Sequence, residues 1–185
     1  AESVDTRVAP YGTSLLDLGE LRDEIERCIR GEKVDQGASP ALRDIARKTE
    51  HLHAQVKEKL GSTLRNNKNW FSDSYISQKN GRFVLPVKKE FRSKFPGTAV
   101  ELSGTGGTCF MEPSSVAKLQ GELSTLQIEE ENEIRRILYT LTAMVCDFTP
   151  DIKRNMEAME QLDFLFAKAK LSAEMDASPA ALTTE

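Results

Sequence analysis

Two long stretches with helical periodicity bracket a segment of quite different chemistry. Between residues 70 and 110 fall 7 of the 12 aromatic residues, 5 of the 11 glycines and 2 of the 7 prolines. Before it, residues 14–30 place Leu15, Leu18, Leu21, Ile25, Cys28 and Ile29 at steps of three and four, the mark of an amphipathic helix, with Gly31 as its stop. Ser39-Pro40 then pairs an N-cap with a first helical residue, and Leu42, Ile45, Leu52, Val56 and Leu60 line one face until Gly61 weakens or ends the helix. After the segment, a helix of about 33 residues, roughly 50 Å long, runs from Ser114 or Ser115 to about Asp147. Thr149-Pro150 opens a last helix whose predicted buried stripe is Ile152, Met156, Met159, Leu162, Leu165, Phe166 and Ala169.

The segment itself predicts four short strands. Tyr75-Ile76 and Phe83-Val84-Leu85 flank Asn80-Gly81, a pair suited to a tight hairpin because both residues tolerate positive φ. Pro96-Gly97 signals another turn, and residues 98–102 and 108–111 predict two further strands around Gly104, Gly106 and Gly107. About 48 residues bury too little surface to be comfortable alone. The expected fold is therefore mainly α with an inserted small antiparallel β module, carried at the tip of two long antiparallel helices. The expected parts are an N-terminal helical region (1–65), the β module (66–113), a returning helical region (114–176) and a disordered tail (177–185).

Charge follows the same division. The whole chain has 25 Lys+Arg against 29 Asp+Glu, a net charge of -4, whereas residues 66–113 carry 7 basic and 4 acidic groups, a balance of +3. Lys79, Arg82, Lys88, Lys89, Arg92 and Lys94 are the candidate contacts to a nucleic-acid backbone; the ordinary alternative is a solvated charged loop. Phe83, Phe91, Phe95 and Phe110 are expected to form the module's own core, leaving Trp70 and Phe71 as stacking candidates. No stretch approaches the roughly 18 apolar residues of a membrane span, and three scattered cysteines (Cys28, Cys109, Cys146) suit reduced thiols that pack in a cytoplasmic protein. His51 and His53, two apart on a helix, diverge too far to chelate one metal, so neither a metal nor a hydrolytic triad is expected.

The ordered motifs carry a resemblance. Residues 80–88 (NGRFVLPVK), Phe91, Pro96-Gly97 and residues 106–113 (GGTCFMEP) resemble the clamp of the second bacterial MutS subfamily, relatives of mismatch-repair MutS associated with restraining recombination. Asp35, Ala38, Ser39-Pro40, Leu42 and Ile45 resemble the start of that family's lever helix. Glu130, Glu133-Ile134, Ile137-Leu138 and Leu141 resemble the returning lever, and Leu162-Asp163 with Ala167-Lys168-Ala169 its last core helix. Residues 103–108 (SGTGGT) depart from the family's usual Ser-Ala-Ser-Gly-Ala-Thr, and no G-x-x-x-x-G-K-[ST] phosphate loop is present.

The resemblance implies a non-catalytic lever and clamp that grips duplex or branched DNA without reading its sequence. The ATPase, with its ATP and Mg, and the pairing into homodimers would belong to a full-length protein, and this stretch would need no cofactor. Some family members are implicated in handling stalled ribosomes, so an RNA or ribosomal target stays open. So does a helical scaffold or dimerisation module whose basic tip meets acidic protein.

Overall fold

A computed structural model describes residues 8–104 and 106–178. In chain order the elements are helices α1 (Ala9–Thr13) and α2 (Gly19–Cys28), strands β1 (Ile29–Arg30) and β2 (Lys33–Val34), helix α3 (Pro40–Asn66), strands β3 (Ser77–Lys79), β4 (Arg82–Lys88), β5 (Gly97–Leu102) and β6 (Thr108–Pro113), and helices α4 (Ser114–Asp147) and α5 (Thr149–Glu174). The protein is thus mainly α with an inserted antiparallel β module, as the sequence predicts. Packing divides it into two compact units, Ala1–Gly31 with Leu138–Glu185, and Glu32–Ile137.

In the unit Glu32–Ile137, α3 begins where the sequence says it should. The Ser39 hydroxyl accepts the Leu42 amide at 3.0 Å and Pro40 fills the first turn. A 3-10 turn over Gln36–Ala38, not foreseen in the sequence, precedes it and is capped by Asp35. The helix does not end at Gly61 but runs to Asn66, because Leu60 and Leu64 on either side are buried in the core. That burial outweighs the roughly 1 kcal/mol that glycine costs a helix interior.

The four strands pair antiparallel in the order β3-β4-β6-β5. Asn80 and Gly81, at φ 51° and 75°, make the two-residue turn that pairs Lys79 with Arg82. β3 starts at Ser77, so Tyr75 and Ile76 lie outside the strand predicted for them. At Gly97 a β-carbon would collide with the Glu112 carbonyl oxygen, which is why only glycine fits where β5 begins.

One sheet face supplies Leu85, Val87, Cys109 and Met111 to a core shared with Val56, Leu60 and Leu64 of α3, Val116 of α4, and Phe71 and Phe95. The module therefore owns no separate core. Across that core, Leu60 and Leu64 meet the start of α4, whereas the Ser39 hydroxyl donates to Glu133 at 2.6 Å, so α3 and this part of α4 run antiparallel. Glu133 also takes a two-pronged contact from Arg136. Arg136 first, then the Ser39 hydroxyl, hold its carboxyl well below the usual range, at about 2.

β6 ends at Pro113 and passes directly into α4, so the ladder opposite β4 stops there. Continuing the register sets Phe83 across from Pro113, which has no N–H. The Gln120 side chain, 3% exposed, replaces the missing strand: its Oε1 accepts the Phe83 amide at 2.6 Å and its Nε2 donates to the Phe83 carbonyl at 2.9 Å.

In the other unit, residues 15–18 lack regular structure instead of being helical, and α2 starts only at Gly19. The Asn155 carboxamide accepts from the Leu16 amide at 2.8 Å and donates to its carbonyl at 2.9 Å, pinning this stretch to α5. The stripe predicted for α5 is only partly buried: Met156, Met159 and Phe166 are 64%, 60% and 63% exposed, Ala169 is exposed too, and Ala158 is the buried residue. The helix is apolar around much of its circumference, and one side alone finds a partner. Cys28 and Cys109 are buried, but Cys146 is exposed and does not pack as expected. Of the predicted tail, Ala177 and Ser178 lack regular structure, and 179–185 lie outside the described residues. No helix among the described residues is long and apolar enough to cross a membrane.

Candidate nucleic-acid interface

The six candidate cations separate into two sets at opposite ends of β4, about 20 Å apart at the strand's rise per residue. At the hairpin end, Lys79 and Arg82 are committed internally. Lys79 reaches Glu101 at 2.7 Å and lies 4.7 Å above the Phe110 ring. Arg82 pairs at 2.6 Å with Glu112, whose side chain is 5% exposed. Moving Arg82 away would strand a buried carboxylate.

At the other end, Lys88 closes β4 and Lys89, Arg92 and Lys94 sit on the turn that follows. The turn is compact: a 3-10 segment spans Lys89–Phe91, and the amides of Lys94 and Phe95 both donate to the Phe91 carbonyl, at 3.0 and 2.9 Å. Phe95 is buried and Phe91 stacks on Trp70 at 6.0 Å between ring centroids. The Lys89 amide donates to the Gly107 carbonyl at 3.0 Å, tying the turn to the glycine loop before β6. Lys89, Arg92 and Lys94 are exposed, and Lys88 is half-buried. None of the four has a carboxylate within ion-pairing distance among the described residues, although Glu90 shares their turn.

The aromatic residues thus serve packing. Phe71, a stacking candidate by sequence, is 4% exposed and edge-on to Phe95 at 5.8 Å; Trp70 is half-buried with one face taken by Phe91. The sequence reading missed Arg65 and Lys68. Both are exposed; Lys68 opens the 3-10 turn that ends in Trp70, whose ring stacks on Phe91 of the basic turn, while the Arg65 guanidinium lies back along α3 toward Gly61. Their signal was weak because they fall at the seam between a helical pattern and the module. Among the described residues no cluster of three His, Cys, Asp or Glu side chains is placed to hold a metal. His53 packs edge-on against Phe83 at 5.4 Å.

The described residues thus place four cations, none in an ion pair with a described carboxylate, on one turn of a helix-bracketed β module. No family model matches the chain. It is 37% identical, over 99% of its length, to a protein named Endonuclease MutS2 from Alkaliphilus oremlandii, of which it covers 24%. Proteins of the same name from Bacillus velezensis and Clostridioides difficile are 37% and 36% identical over 92% and 91% of the chain. The chain is homologous to one segment of the MutS2 proteins, a subfamily of MutS, and spans less than a quarter of the length of these relatives.

Proposed function

We propose that this segment is the lever and clamp of a MutS2-type protein of DNA repair and recombination control, and that Lys88, Lys89, Arg92 and Lys94 grip a nucleic-acid backbone. The observation that carries the reading is the set of four cations on one aromatic-pinned turn, none neutralised by a carboxylate among the described residues. A fixed turn presents its charges with little ordering cost, and contacts to phosphates fix position without reporting base identity. Lys79 and Arg82 act in this reading by shaping the outer sheet face through Glu101 and Glu112. ATP, Mg and the ATPase that drives the levers belong to the remainder of the full-length protein, as does homodimer formation around duplex or branched DNA.

The test is fluorescence anisotropy with mixed-sequence duplexes at several salt concentrations. With about 3 or 4 phosphates neutralised, log affinity should fall with log salt at a slope of roughly -3, and Kd should lie around 10⁻⁴ to 10⁻⁶ M. Reversal of Lys88, Lys89 and Arg92 to Glu should weaken binding about equally for every sequence and flatten the slope. Binding by the parent that the reversal leaves unchanged refutes the assignment. An RNA or ribosomal target calls on the same phosphate contacts and is separated by running a matched RNA duplex alongside. A second reading, a helical scaffold or dimerisation module, draws support from the exposed Met156, Met159 and Phe166 of α5, an apolar surface of the kind that meets another protein surface.

A further inference from the structure

A recess of about 350 Å³, at the small end of ligand-pocket size, is lined by Gly61, Leu64, Arg65, Lys68, Ser74 and Ile76, and Lys68 begins the 3-10 turn whose Trp70 stacks on Phe91 of the basic turn. Its floor is aliphatic, from Leu64 and Ile76, while Arg65 and Lys68 stand exposed at its rim with no ion pair among the described residues. Ser74 adds a hydroxyl. Glycine at 61 is the feature without a structural reason. Its backbone is helical, and a β-carbon there would meet nothing nearer than the Arg65 guanidinium at 3.4 Å, the far end of a flexible side chain. Apart from proline, glycine is the least favourable residue for a helix interior, so alanine would be tolerated and would stabilise α3. What glycine does preserve is the open wall of the recess and room for the Arg65 guanidinium to lie across it. Gly121 of α4 is likewise an interior helix glycine with open space around it but lies outside this recess, so of the two only at position 61 does the missing side chain keep its wall open.

We infer that this recess holds one unpaired nucleotide of a DNA strand leaving the gripped duplex. The proposal rests on the nucleic-acid reading above and adds a second site to it. A nucleotide joins a flat, largely apolar ring to an anionic phosphate, and the recess offers the matching parts. Leu64 and Ile76 receive one face of the base, the Arg65 guanidinium plane stacks on it, Lys68 meets the phosphate and the Ser74 hydroxyl reaches a base edge. The site takes any base, because none of these contacts depends on a particular pattern of donors and acceptors.

The experiment compares a labelled blunt duplex with the same duplex carrying a three-nucleotide single-stranded overhang, and with one whose overhang is abasic. The overhang should bind about five- to tenfold tighter than the blunt end, the lower range for stacking one base, and the abasic overhang should not reproduce the gain. Gly61→Leu fills the recess; it should abolish the preference, keep blunt-duplex affinity and raise the melting temperature by about 2–4 °C. Gly121→Leu, at an exposed glycine of α4 with open space around it, should gain similar stability and keep the preference. Equal affinity for blunt and overhang duplexes, an abasic overhang as good as a natural one, or a preference that survives Gly61→Leu overturns this site while leaving the backbone grip standing. Absence of binding to every probe overturns both.

Discussion

Replacing Gln120 by methionine keeps the side chain's length and removes both of its hydrogen bonds to Phe83. In the parent the carboxamide stands where the β6 ladder has ended at Pro113, so the Phe83 amide and carbonyl have no strand to turn to. Leaving a buried backbone group unpaired costs about 1–3 kcal/mol. Phe83 is half-buried, so water recovers part of that, and about 2–4 kcal/mol is expected for the pair together. Trp70, the single tryptophan, lies within this unit's aromatic cluster and reports its unfolding by fluorescence in urea. Gln120→Glu sharpens the test. As a protonated acid it offers one donor and one acceptor, as the amide does; ionised, it sets a bare oxygen against the Phe83 carbonyl. Its folded pKa should therefore lie above the ordinary glutamate value of about 4.3. The variant should approach the parent's stability below that value and fall behind as pH rises through the raised one. A methionine variant within about 0.5 kcal/mol of the parent, or a glutamate variant whose deficit ignores pH, refutes the argument.

Glu133 should remain ionised at pH 3 in a carboxyl NMR titration, since its folded value is held at about 2; the stability it contributes is fully present above about 4.3 and is lost as pH falls through 2. Ser39→Ala should shift that titration upward and cost α3 its cap, about 1 kcal/mol in urea unfolding. Changing Met156, Met159 and Phe166 together to Gln should reduce binding of a hydrophobic dye while leaving helical circular dichroism unchanged and stability within about 1 kcal/mol, as expected for exposed positions.

Local signals with a single meaning were legible in the sequence. Ser39-Pro40 starts a helix and Asn80-Gly81 turns a hairpin because each demands one backbone geometry, and the structure puts both where expected. Periodicity was legible as helix but not as burial. On α5 the same spacing that marks Leu162 and Leu165 also marks Met156 and Phe166, and only neighbouring chain decides which of them is covered. The basic segment was visible by composition, yet composition could not divide it. Lys79 and Lys88 look alike as letters; the fold sets one against Glu101 and leaves the other without a carboxylate partner among the described residues. Residues 15–18 illustrate the same limit, for their apolar spacing suits a helix while the Asn155 carboxamide, 139 positions away from Leu16, takes both backbone groups of Leu16 and the stretch stays out of the helix.

The junction at Pro113, where strand passes into helix without a connecting loop, also dictates the order in which this unit comes together. The contact between Ser39 and Glu133 spans 94 residues, a wide separation for a first encounter. The hairpin at Asn80-Gly81 and the pairing of β5 with β6 close far shorter loops, and once they form, Leu64 and Val116 are already held against one sheet. The two helices can then zip outward from the sheet, each turn closing a loop that the previous turn has shortened. The end farthest from the sheet closes last and opens first. In hydrogen exchange, amides of α3 near Leu42 should accordingly lose protection by brief fraying, whereas those near Leu60 should wait for the sheet itself to open.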